Sequence, residues 1–177
     1  MGYYIKNEEN IKFYIEDLNE HGKKTIVFLH GWPGEHNLFE YQFNYLSEMG
    51  YRWIGIDQRG FGNSDKPKDG YDYDILSDDV MCIVNQLSLK DFILLGHSTG
   101  GAIAIRYMAR HKGYGVNKLI LCGAAAPSLI KRPYFPYGIE KEVVDNIIEG
   151  TYNDRPKMLS DFGKIFFYSN VSKPLME

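Results

Sequence analysis

The stretch Phe92-Ile93-Leu94-Leu95-Gly96-His97-Ser98-Thr99-Gly100-Gly101-Ala102-Ile103 decides how the rest of the chain is read. Its first four residues form a short continuous apolar run, the mark of a strand buried on both faces. From Thr99 to His111 the spacing is helical, with small residues at the start and basic ones toward the end. Between the two lies G-x-S-x-G, Gly96 to Gly100. As a bare pattern it arises by chance in roughly one chain in twenty of this length. Its context is what counts, because a strand running straight in and a helix running straight out is the setting this motif needs. Such a turn strains the backbone at the serine, and glycines on either side let neighbouring chains pass closely. The Ser98 hydroxyl is then expected at the carboxyl end of the sheet, where open α/β sheets bind ligands. The competing reading is a glycine-rich turn with an ordinary helix-capping serine.

Working outward, three more apolar runs read as buried strands: Thr25 to Leu29, Trp53 to Ile56 and Leu119 to Cys122. Helical spacing covers Asn37 to Met49, with Gly50 placed to end it, and Asp74 to Leu87, which carries acids in its first turn. Tyr3 to Lys6 and Ile11 to Asp17, separated by the polar turn Asn7 to Asn10, read as a hairpin. Short buried strands alternating with amphipathic helices predict a mainly parallel twisted sheet with helices on both faces. After Gly123 the pattern changes. Ala124 to Pro136 holds three prolines and is expected to be irregular, and Ile139 to Ile148 and Lys157 to Tyr168 read as helices. The expected organisation is an α/β core over residues 1–123 and a partial helical lid over 124–177.

The 177 residues carry a net charge of −3 with no long run of one sign, which speaks against nucleic acid or an anionic membrane as partner. No stretch has the composition of a signal peptide or the length of a membrane span, so a cytoplasmic location is expected. Cys82 and Cys122 both fall in apolar runs and read as free buried thiols.

A second element, His30-Gly31-Trp32-Pro33-Gly34, follows the strand Thr25 to Leu29. Acyl transfer develops a negative oxygen, and two aligned backbone N–H groups stabilise it, each by about 2.7–4 kcal/mol. The expected donors are Thr99, directly after the serine, and Trp32, since Pro33 has no N–H. His30 reads as fixing its loop. The third element, Asp57 to Asp65, is dense in turn formers but lacks G-K-[ST], which speaks against nucleotide binding and for a rigid turn with Asp57 and Arg59 structural.

H-G-W-P-G from His30, D-Q-R-G-F-G-N-S-D from Asp57, G-Y-D-Y-D from Gly70 and G-H-S-T-G-G from Gly96 stand in this order and at separations that resemble the α/β-hydrolase superfamily. More narrowly they are similar to its non-haem haloperoxidase and arylesterase branch, from about Gly22 to Gly123 and more loosely beyond. The resemblance implies an α/β-hydrolase fold and a Ser–His–Asp site without metal, haem or other cofactor. It implies an ester or acyl small molecule as substrate. Ser98 would be the nucleophile and the Trp32 and Thr99 backbone amides the oxyanion hole. Gly31, His97, Tyr134 and Phe135 are the expected substrate-binding residues.

In that family two further strands follow the lid and carry the triad acid and then the histidine. Here 54 residues follow Gly123, mostly lid, and no histidine follows His111. His111 lies at the far end of the helix that starts beside Ser98, roughly 20 Å away at 1.5 Å per residue. Asp145, Asp154 and Asp161 fall in the lid. The expectation is therefore an N-terminal portion without the last two strands, inactive or weak alone, since removing the base costs roughly 10⁴–10⁶-fold in rate. Two alternatives stay open: a natural short relative that binds an apolar ligand without turnover, and a module completed by a second chain. The lid aromatics Tyr134, Phe135, Tyr137, Phe166, Phe167 and Tyr168 are candidates to line a pocket or simply to pack. Leu119 to Cys122, left as an apolar sheet edge, is a candidate for self-association.

Overall fold

A computed structural model describes residues 2–166. The hairpin forms as β1 (Gly2–Lys6) and β2 (Lys12–Leu18). It is followed by β3 (Thr25–Leu29), a 3₁₀ turn (His36–Phe39), α1 (Glu40–Glu48) and β4 (Arg52–Ile56). Next come α2 (Tyr73–Gln86), β5 (Phe92–His97), α3 (Thr99–Arg110) and β6 (Val116–Cys122). The strands make one sheet in the order β1-β2-β4-β3-β5-β6. β4, β3, β5 and β6 run parallel, and the hairpin joins β4 antiparallel. This is the α/β-hydrolase fold expected from the sequence.

The apolar runs of β3, β4 and β5 are explained by packing on both faces of the sheet, whereas the run Leu119 to Cys122, expected to be buried, is largely exposed. In β3, Val27 and Leu29 face a core with Ile54, Ile56, Leu94 and the α2 and α3 residues Val80, Ile83, Val84, Ile103 and Tyr107. Ile26 and Phe28 face the opposite way, against Phe39, Phe43 and Trp53. Phe43 stacks flat on Trp53 with ring centroids 3.5 Å apart. Each such side chain contributes about 1.5–3 kcal/mol by leaving water. β3 lies inside the sheet between β4 and β5, and β5 lies between β3 and β6, so the carboxyl ends where the two glycine-rich loops begin are adjacent and each is held by strands on both sides.

The helix expected over Asn37 to Met49 opens instead as a 3₁₀ turn. The cause is His36, whose N–H and Nδ1 are both tied to Asp57 Oδ1 at 2.9 and 2.7 Å, which draws the first turn toward β4. The thiols also differ from expectation. Cys82 is only half-buried and Cys122 is exposed, because β6 is the last strand of the sheet among the described residues. Ile120 and Leu121 beside it are 40% and 43% exposed.

The chain divides into two compact units, Met1–Ala126 and Pro127–Glu177. In the second, α4 (Lys141–Asn153) and α5 (Arg155–Phe166) form a helix pair. α4 runs five residues past its expected end, through Gly150. A mid-helix glycine costs about 1 kcal/mol relative to alanine, but here it lets Met158 pack against the backbone, 3.1 Å from where a Cβ would sit. α5 starts earlier than expected, because Asp154 caps it by accepting the Lys157 N–H at 3.0 Å.

Candidate active site

β5 ends at His97 and α3 begins at Thr99, so the whole change of direction falls on Ser98. Its backbone sits at φ 51° and ψ −119°. That is a region L-residues avoid, at a cost of about 1–3 kcal/mol. The surroundings hold it there. Ser98 N–H donates to Cys122 O at 3.1 Å, and Ser98 O accepts from Gly101 N–H at 3.0 Å and Ala125 N–H at 2.9 Å. The glycines of the motif are needed for space: a Cβ on Gly96 would lie 2.4 Å from Gly100 O, and one on Gly100 would lie 2.2 Å from Leu29 O. The strand, the helix and the loop after β3 therefore touch backbone to backbone around the serine. Among the described residues Ser98 Oγ takes no hydrogen-bonding partner.

The loop after β3 crosses directly over this bend. A Cβ on Gly31 would sit 2.8 Å from Ser98 Cβ and 2.9 Å from His97 Nδ1, so Gly31 and His97 both lie beside Ser98. Burial pushes the His97 imidazole below its ordinary value. Trp32 N–H donates to Thr99 Oγ1 at 3.0 Å, joining the two loops across 67 residues of sequence. The Thr99 amide is one of the first four of α3, which have no acceptor inside their own helix.

His30 is almost fully buried. Gln58 N–H donates to its Nε2 at 3.1 Å, so the ring proton is on Nδ1, which lies 3.0 Å from Gly31 O. Burial lowers its pKa, and the imidazole is neutral and fully used in fixing the loop. His111 caps the other end of α3 and meets Asp78 at 3.0 Å, about 20 Å along the helix from Ser98 at 1.5 Å per residue. Asp145 pairs with Lys141 on α4, and Asp161 with Lys157 and Lys164 on α5.

The turn after β4 is a closed network. Asp57 is fully buried and accepts from Asn63 N–H at 2.8 Å as well as from His36. Arg59 holds Asp79 through two bonds of 2.5 and 2.6 Å. His36 Nδ1 also reaches Glu35 at 2.7 Å. Glu35, His36 and Asp57 make a grouping of the kind that can hold a metal ion, but here the Nδ1 proton already serves both carboxylates. Sequence reading missed this cluster, since Glu35 and His36 carry no motif of their own. It also missed the Thr99 hydroxyl bond to Trp32.

Tyr134 and Phe135 belong to the second unit, Tyr134 exposed and Phe135 half-buried against the ring of Tyr137. Phe166 meets Phe162, whereas Phe167 and Tyr168 lie outside the described residues. Between α4 and α5, Val143, Ile147, Gly150, Met158 and Phe162 line a groove of about 370 Å³ that includes none of the aromatics expected there.

Residues 24–153 match the model of the alpha/beta hydrolase fold family. The AB hydrolase superfamily protein YisY of Bacillus subtilis is 54% identical over 177 residues, all of this chain and 65% of that protein. An esterase from Exiguobacterium antarcticum superposes with a TM-score of 0.95 at 47% identity, covering 99% of this chain and 65% of the esterase. A bromoperoxidase from Bacillus anthracis gives a TM-score of 0.91 at 35% identity, over 99% of this chain and 66% of that one. The chain thus spans about 65% of the length of the first two proteins.

Proposed function

Since this chain belongs to the α/β-hydrolase fold family, we propose that it carries the nucleophile side of an esterase-type site that acts on a carboxylic ester or related acyl compound. The observation that carries this is the Ser98 bend, a strained turn that leaves one hydroxyl uncommitted beside two loops. Strain of this kind persists only where the surroundings enforce it. A helix-capping serine needs none of it, and Ser98 makes no side-chain cap bond. The 47% identity to a protein named an esterase supports the choice of substrate class.

In this reaction Ser98 Oγ attacks the carbonyl carbon, and the carbonyl oxygen becomes an oxyanion held by the Trp32 and Thr99 backbone amides. Collapse of the adduct releases the alcohol and leaves an acyl group on Ser98. Water then attacks the acyl carbon, and the acid leaves. A general base accepts the Ser98 proton and gives it to the departing alcohol, and in the second half it accepts a proton from the attacking water and gives it to the departing Ser98 Oγ. Among the described residues no histidine is hydrogen-bonded to Ser98 Oγ, and His30, His36 and His111 are engaged elsewhere. We therefore assign the base and its carboxylate to polypeptide beyond these residues, and expect the 177-residue chain alone to be weak.

Labelling with a fluorophosphonate tests the nucleophile. The expected result is slow labelling of the chain, abolished in Ser98→Ala. Labelling that persists in Ser98→Ala overturns the assignment. Labelling that appears only when a second polypeptide is added places the base in that partner. We extend the proposal to β6, whose outer edge pairs with no strand among the described residues and whose exposed Ile120 and Leu121 invite a second copy. Light scattering is expected to show self-association that Ile120→Lys removes, and a monomer at high concentration overturns it.

A further inference from the structure

Of the two residues whose amides are assigned above to the oxyanion, one holds the other: the Thr99 hydroxyl accepts the Trp32 N–H. We propose that Thr99 is a positioning residue whose hydroxyl holds the Trp32 amide over the Ser98 bend before substrate arrives, and which turns its own O–H to the oxyanion when charge develops. This rests on Ser98 as nucleophile.

The geometry gives the first half. Trp32 lies in an irregular loop between β3 and the 3₁₀ turn, where a backbone amide has no regular structure to fix its direction. Trp32 N–H donates to Thr99 Oγ1 at 3.0 Å, and Thr99 is the first residue of α3, directly after the bend. An oxyanion hole works only if its donors are aimed before the reaction, so that none of the binding energy goes into turning them. The anchor is itself stiff, because a β-branched side chain has restricted χ1.

The chemistry of a hydroxyl gives the second half. It carries one O–H and two lone pairs. While a lone pair accepts the Trp32 N–H, the O–H remains for another partner. An oxyanion is a far better acceptor than a neutral hydroxyl. When it forms, the Trp32 N–H, already held at the bend, shares its bond between Thr99 Oγ1 and the new oxygen, and the Thr99 O–H donates to the same atom. No proton changes owner, so the device works identically in acylation and deacylation. Three donors then converge, two amides and one hydroxyl, with Thr99 supplying two of them.

The test compares Thr99→Val, which keeps the shape and removes the hydroxyl, with Thr99→Ser, which keeps the hydroxyl. Two quantities are read on the full chain: amide hydrogen exchange at Trp32 by NMR, and the rate of fluorophosphonate labelling. Thr99→Val is expected to speed Trp32 exchange by about tenfold, with Gly34, whose N–H is bonded to Gly31 O at 2.9 Å, unchanged. Labelling is expected to slow about 10- to 100-fold, and Thr99→Ser to restore both. If Thr99→Val leaves Trp32 exchange unaltered, the anchor does not exist. If labelling is unaltered or faster, the hydroxyl is idle or in the way of the oxyanion. Either result overturns the proposal. A wild-type chain that labels no faster than Ser98→Ala overturns the nucleophile reading instead, and the exchange measurement alone then decides whether Thr99 holds Trp32.

Discussion

Two turns leave the same end of the sheet, one after β4 and one after β5, and both are rich in glycine and polar residues. In the β4 turn the side chains are committed. Asp57 is bonded to His36 and Asn63, Arg59 to Asp79, and Ser64 Oγ donates to Asp57 O and accepts the Tyr14 N–H at 2.8 Å. In the β5 turn the backbone is committed and the side chain is not. Ser98 is fixed by main-chain bonds from three directions while its hydroxyl is left over. Residue type does not separate the two turns. What separates them is which atoms the fold has already used, and chemistry is left to the turn that has something unspent.

The strongest way to break this contrast is to open the closed turn. Asp57→Ala takes from the His36 imidazolium its fully buried carboxylate, leaving only the partly exposed Glu35, and removes the acceptor of the His36 and Asn63 amides. Removing one partner of a buried charge pair costs about 3–5 kcal/mol, and urea denaturation should show a loss of that order. A loss under about 1 kcal/mol would mean that the network behaves like surface ion pairs. The same network sets a pH signature. For His36, burial works against the charged form, but the hydrogen bond and the attraction of Asp57 and Glu35 outweigh it and raise its pKa above 6.5. Its contribution is therefore complete below pH 6.5 and is lost as pH rises through the higher folded value. For Asp57, burial again opposes the charge, and the bonds from His36 and Asn63 win, holding it below 3.8. Its contribution is complete above pH 3.8 and is lost as pH falls through the lower folded value. Stability from this pair should peak between these limits, and His36→Gln should remove the decline on the alkaline side in melting curves.

A smaller effect sharpens the other half. In a helix, glycine to alanine ordinarily stabilises by about 1 kcal/mol. At Gly100 the sign should reverse, because the new Cβ meets Leu29 O at 2.2 Å and His30 O at 2.5 Å. Overpacking against backbone costs about 1–3 kcal/mol. If Gly100→Ala stabilises, the close crossing of the β3 loop over α3 is wrong.

Much of this was legible in the sequence, for a physical reason. The strands Thr25 to Leu29 and Phe92 to Leu95 are packed on both faces, so every position from Ile26 to Leu29 and from Phe92 to Leu95 is apolar. The G-x-S-x-G glycines are forced by contact distances that no other residue permits. What escaped notice depends on atoms distant in sequence: His36 meeting Asp57 across 21 residues, and Trp32 meeting Thr99 across 67. Neither contact has a period or a spacing. The extension of α4 through Gly150 escaped because glycine marks a stop by propensity, while Met158 packing against it decides otherwise.

The finest probe of the contrast is the strain itself. If Ser98 is held at φ 51° at a cost of about 1–3 kcal/mol, glycine at that position adopts the same conformation freely. Glycine also loses more backbone entropy on folding, a penalty of about 0.5–1 kcal/mol. The difference leaves Ser98→Gly more stable than the wild type by up to about 2 kcal/mol, even though it deletes a side chain. Ser98→Ala keeps the Cβ and the strain, so it should melt close to the wild type, which makes the pair of variants a direct measurement of strain with the hydroxyl's chemistry removed from both. Should the glycine variant be less stable than the alanine variant, the bend is relaxed, and the idea that the surroundings force Ser98 into a reactive pose fails with it. Should it be more stable, the protein is keeping a less stable residue at the one turn whose side chain is unspent, which is the trade expected of a site selected for activity over stability.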